Sequence, residues 1–81
     1  MTPEQCRAAR GLVDLSQADL ALKANVGLST VKNFEASRSV PVANNLLAIQ
    51  RALEDEGVQF IPENGGGAGV RMAKPKRATD E

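Results

Sequence analysis

The sequence has no histidine, no tyrosine and no tryptophan, and a single cysteine among its 81 residues. Without His there is no Ser-His or Cys-His nucleophile pair and no His/Cys set to hold a metal, so neither an enzyme nor a metal or other cofactor is expected. The one thiol, Cys6, has no partner for an internal disulfide, and no apolar run is long enough for a signal peptide or a membrane span. The expected location is therefore the cytoplasm. A bias of charge is missing as well: ten basic and ten acidic residues give zero net charge, which argues against a non-specific nucleic-acid coat. It does not argue against a specific reader, because phosphate contacts need only a few well-placed cations. With two Phe as the only aromatics, a core must come from Leu, Val, Ile and Ala, which suits a small helical bundle with little core to spare.

What the chain does have is concentrated between Ser16 and Glu35. Ser16 suits an N-cap with Asp19 three residues on, and Leu20, Ala21 and Ala24 then share a face at helical spacing. Asn25 tolerates the left-handed backbone of a helix exit, Val26 plugs the angle, and Gly27 starts a second helix over Leu28–Ala36. That second helix has Val31 and Phe34 inward and Leu28, Ser29, Lys32 and Asn33 outward. Two helices and a tight turn, with short polar groups and one cation on the exposed side, make a helix-turn-helix suited to a DNA groove.

The block SQADLALKANVGLSTVKNFEASRSVP resembles the Cro/C1-type (XRE) helix-turn-helix regulators of phages and bacteria. The resemblance covers roughly residues 3–56 and rests on Ser16-Gln17, Ala21, Val26, Ser29-Thr30-Val31, Glu35, and Arg38 with Pro41. Two positions depart from the family's usual residues. Asn25 stands where Gly is common, and Gly27 stands where a Ser or Thr normally caps the helix. The family also pairs an Arg of the first helix with a Glu at the end of the recognition helix, which implies a structural ion pair between Arg10 and Glu35. In the resembling repressors the loop after the recognition helix runs beside the DNA backbone, which marks Arg38 as a phosphate contact, helped by Ser37 and Ser39.

Around this unit the chain divides readily. Thr2-Pro3-Glu4-Gln5 forms a capping box with proline in the first helical position, opening a helix to about Val13 whose buried face holds Cys6, Ala9 and Val13. Cys6 is read as a small buried apolar residue rather than a redox sensor. Asn44 is the expected cap of a helix ending at Gly57, with Leu46, Ile49 and Leu53 on its core face and Leu47 and Ala52 widening it. Three consecutive acids, Glu54-Asp55-Glu56, read as a solvated helix end rather than a catalytic pair. Val58–Ile61 and Val70–Met72 alternate like two short strands around a glycine-rich turn, which lacks the Lys and Ser/Thr of a phosphate loop. Such a hairpin is marginal alone, so Val58, Phe60, Val70 and Met72 are expected either to pack on the helices or to pair with a second copy.

The expected fold is mainly α: a four-helix domain over residues 1–57, a β extension over 58–72 and a disordered tail over 73–81 with a basic Lys-Pro-Lys-Arg run. The expected function is a sequence-specific DNA-binding transcriptional regulator, most simply a repressor, acting as a homodimer on a pseudo-palindromic operator of double-stranded DNA. Leu28, Ser29, Lys32 and Asn33 are the base-reading candidates, and Gln17, Gly27, Thr30, Ser37, Arg38 and Ser39 the backbone contacts. Two alternatives use the same fold. One is an antitoxin that binds its operator and, through the C-terminal extension, a toxin; the other is a protein-binding adaptor or anti-activator.

Overall fold

A computed structural model of the protein describes residues 1–73. Its first two helices start on reciprocal caps. Thr2 Oγ1 accepts from the Gln5 amide at 3.0 Å while Gln5 Oε1 accepts from the Thr2 amide at 2.8 Å, opening α1 (Pro3–Val13). Ser16 and Asp19 repeat the arrangement at 2.9 and 3.2 Å, opening α2 (Gln17–Ala24). Each such cap satisfies two amides that a helix end would leave without partners. Asn25 leaves α2 in the left-handed conformation, φ 57° and ψ 46°, and α3 (Leu28–Glu35) follows from Gly27, with Ala36 as its C-cap rather than its last residue.

The fourth helix departs from expectation at its start. α4 (Ala43–Asp55) is capped by Val42, not Asn44, and no side chain serves the cap. The Val42 carbonyl instead accepts from the Asn45 and Leu46 amides, each at 3.0 Å. Pro41 stiffens the approach to that turn, and Asn44 is left exposed inside the first turn of the helix. The core stripe of α4 is also narrower than expected. Ile49, Ala52 and Leu53 are buried and Leu46 packs against them, but Leu47 is 43% exposed and does not widen the face.

Beyond α4 the chain turns through Gly57 at φ 106°, where an added Cβ would also sit 3.2 Å from Met72 Cε. The backbone angle is what calls for glycine, since the flexible end of Met72 could give way by a few tenths of an ångström. Strands β1 (Val58–Ile61) and β2 (Gly69–Met72) then pair antiparallel, Val58 opposite Met72 and Phe60 opposite Val70. All four of those side chains share one face. Val58 is buried in a single cluster with Cys6, Ala9, Leu20, Val31, Phe34, Ile49 and Leu53, and Phe60 and Val70 pack against it. The hairpin therefore completes the bundle's core.

One polar side chain fastens it. Gln5, already part of the α1 cap, donates Nε2 to the carbonyls of Gly69 at 2.9 Å and Ile61 at 3.3 Å. Its amide thus satisfies the helix start and both strands at the turn end of the hairpin. Ala73, expected to begin the tail, donates its amide to Gly57 O at 2.7 Å and extends the hairpin. The rest of the expected tail, with its basic run, lies outside the described residues.

Candidate nucleic-acid interface

α3 presents two unlike sides. Val31 and Phe34 are 0% and 2% exposed, and Glu35 beside them is 3% exposed. Leu28, Ser29 and Lys32 are exposed and Asn33 is half-buried. Positions 28, 29, 32 and 33 are neighbours on the helix surface because residues three and four apart lie one above the other. The structure therefore brings the four expected base readers onto one side. Thr30 lies half-buried at the edge of the same side.

The inner side is held by a hub at Glu35. Arg10 donates Nε to Oε2 and Nη2 to Oε1, both at 2.7 Å, in the forked geometry that gives guanidinium–carboxylate pairs their directional strength. Arg10 also reaches Leu15 O at 3.0 Å, tying the α1–α2 link to the same group. Cys6 Sγ donates to Oε2 at 3.1 Å, and Arg7 donates Nη1 to the Glu35 carbonyl. Burial alone would raise the carboxyl pKa, but the hydrogen bonds from Arg10, Cys6 and Gln17 outweigh it and hold Glu35 below its ordinary value. Burial, and then the bond to Glu35, push the Cys6 thiol far above its ordinary value, so it stays a protonated donor. A thiol in that state is inert as a nucleophile.

Gln17 donates Nε2 to Glu35 Oε1 at 3.0 Å. That side chain, expected at phosphate, has its amide nitrogen engaged inside the fold and braces α2 against the end of α3. Nothing in the sequence marks Gln5 or Arg7 as a long-range contact. The capping pattern marks Gln5 Oε1 but carries no signal for what its nitrogen meets, and nothing local distinguishes Arg7 from a solvated surface cation.

Gly27 has an ordinary extended backbone, φ −68° and ψ 147°, and lacks a side chain to cap α3. Its carbonyl accepts from Thr30 and Val31 at 3.1 and 3.4 Å, so the helix is closed by backbone alone. An added Cβ would meet Thr30 Oγ1 at 3.7 Å and Ser29 Oγ at 3.8 Å, which is ordinary contact. A larger residue would therefore fit there.

After α3, Ser37 adopts φ 61°, and the amides of Arg38 and Ser39 donate to Asn33 O at 2.8 and 3.4 Å. This anchors the loop to the end of α3 and leaves the side chains of Ser37, Arg38 and Ser39 exposed beside it. The ion pairs among the described residues are Arg10–Glu35 and Lys23–Glu56. Neither uses Lys32 or Arg38, the cations of α3 and of the loop after it. Among the described residues no group of three or more His, Cys, Asp or Glu is placed to hold a metal, and no helix is long and apolar enough to cross a membrane.

A family model described as helix-turn-helix matches residues 7–55, from the second turn of α1 to the end of α4. No curated protein matches the chain at a significant level.

Proposed function

The chain belongs to the Cro/C1-type helix-turn-helix (XRE) family of DNA-binding transcription regulators, and on that premise we propose that it is a repressor that reads a pseudo-palindromic operator as a homodimer. α3 enters the major groove and α2 lies across the backbone. Ser29 and Asn33 bond to base edges, Asn33 suiting adenine in particular, while Leu28 meets a thymine methyl. Lys32 reaches a guanine edge or a phosphate. Thr30, Ser37, Arg38 and Ser39 hold phosphates, joined by the backbone at Gly27, and the N-terminal end of α2 at Gln17 faces the same strand.

The observation that carries this reading is the division of α3: its inner side chains are locked, while its outer polar groups and the neighbouring cations have no side-chain partner among the described residues. One module makes a small interface, so two are needed for useful specificity, with half-sites about one helical turn, roughly 10 bp, apart. Val58, Phe60 and Val70 pack within the protomer and Met72 shares their face, so dimerisation through the hairpin would use its backbone edge while they brace it from behind. Repression controlled by the protein's own concentration is the simplest mode for such a module.

In-vitro selection from random duplex DNA at a stated, near-physiological salt concentration tests the proposal. The expected product is a pseudo-palindrome with half-sites near one turn apart. Enrichment of no motif, with residual binding lost at modest salt, would overturn it.

A further inference from the structure

The start of α1, the α3–α4 loop and α4 border an open groove of about 380 Å³, near the small end of the range for small-molecule sites, about 300–1,000 Å³. Met1, Phe34, Val40 and Leu46 form apolar walls, and Arg38 and Ser39 stand at the rim. Val40 is 76% exposed on a loop whose backbone is tied to Asn33, so its side chain is held toward solvent by a fixed rim. Among the described residues no acidic residue lines the groove, and the Arg38 guanidinium is in neither of their ion pairs. Apolar walls beside one unpaired cation fit a ligand with the opposite charge and an apolar body.

We propose that this groove binds a small carboxylic acid of the medium-chain fatty acid type, with its tail between Phe34, Val40 and Leu46 and its carboxylate on Arg38. The Ser39 hydroxyl donates a second hydrogen bond. An ammonium of the same length is excluded, because it would set its charge against the guanidinium. Binding of the acid does not depend on the DNA reading. A further consequence rests on that reading: Arg38 is assigned to phosphate there, so acid and operator compete for one guanidinium, and the acid acts as an inducer.

The test is titration of the full chain with octanoate, below its micelle concentration, followed by amide chemical shifts. Saturable shifts are expected at Phe34, Arg38–Val40 and Leu46, with none from octylammonium. Arg38→Gln should weaken octanoate by about tenfold, and Val40→Asp, an exposed substitution that places a like charge in the groove, should abolish the shifts while leaving the rest of the spectrum in place. Equal shifts from octylammonium, shifts that never saturate, or undiminished affinity in Arg38→Gln would overturn the proposal. Competition is read separately by adding octanoate to the protein on its selected DNA. If octanoate binds the groove and DNA affinity holds, the site stands and the shared role of Arg38 falls. If octanoate does not bind while Arg38→Gln weakens DNA binding, the groove proposal falls and the DNA reading stands.

Discussion

On the inner side of α3, Glu35 takes hydrogen bonds from three other side chains and Val31 and Phe34 fill the core. On the outer side, one residue away along the chain, Lys32 and Asn33 have no side-chain partner in the described structure. The same helix is over-determined on one side and unspent on the other. That contrast is what a reading head requires: groups that meet a ligand must be free to bond to it, yet held in position by a scaffold that does not yield. It also says that stability and recognition should separate by side of the helix.

The hardest way to test that separation is on the inner side. Glu35→Ala leaves Arg10 without its carboxylate in a largely buried setting, and should cost about 3–5 kcal/mol of stability in denaturant unfolding. For a domain of this size such a loss is most or all of the total, so DNA binding should disappear together with the fold. Protonating the same carboxylate is milder. The folded-state pKa of Glu35 lies below its ordinary value of 4.5, so the stabilisation is complete above that value and is lost as pH falls through the lower folded-state pKa. The acid limb of a melting-temperature profile should therefore flatten in Glu35→Gln. A limb of unchanged slope would remove Glu35 as its source.

On the outer side, Asn33→Ala should do the reverse. It keeps the Asn33 carbonyl that anchors the loop, so stability should change by less than about 0.5 kcal/mol. Operator affinity should fall by about 1–3 kcal/mol with preference relaxed at one base position, measured by competition binding. Equal losses of stability and affinity would erase the distinction between the two sides. The smallest effect is expected where the sides meet, at the start of α3. Gly27→Ser supplies the missing cap hydroxyl in a backbone that accepts it, and should raise stability by a few tenths of a kcal/mol. Placed beside phosphate, the same hydroxyl should leave DNA affinity equal or slightly higher.

Much of this was legible in the sequence where the signal is local. The Thr2–Gln5 and Ser16–Asp19 boxes, the left-handed exit at Asn25 and the alternation of Val58–Ile61 each depend on residues within a few positions. The Arg10–Glu35 pair spans a longer distance and was accessible through family resemblance. Where the chain relied on backbone geometry or distant contacts, the pattern was silent or misleading. Asn44 looks like a cap, but the Val42 carbonyl and a proline-stiffened approach set the start of α4 two residues earlier. Leu47 falls on the apolar arc of a helical wheel, yet no neighbouring element covers it. Gln17 sits where a phosphate contact is reasonable by spacing, and only the folded structure shows its amide nitrogen turned to Glu35.

The Gln5 clamp bears on how the protein is made. The cap that starts the first helix and the bonds that hold the last strands share one amide, and its strand partners lie near the far end of the described chain. A ribosome adds about 5–20 residues per second, so for several seconds the nascent chain has α1 without the groups that complete its fastening. During that interval the core faces of α1 and α4, where Cys6, Ala9, Ile49 and Leu53 lie, lack the cover of the hairpin. The last step of folding should then wait for the hairpin. A nascent chain stalled before residue 58 should be open to protease within the four helices, whereas one stalled well beyond residue 73 should be closed.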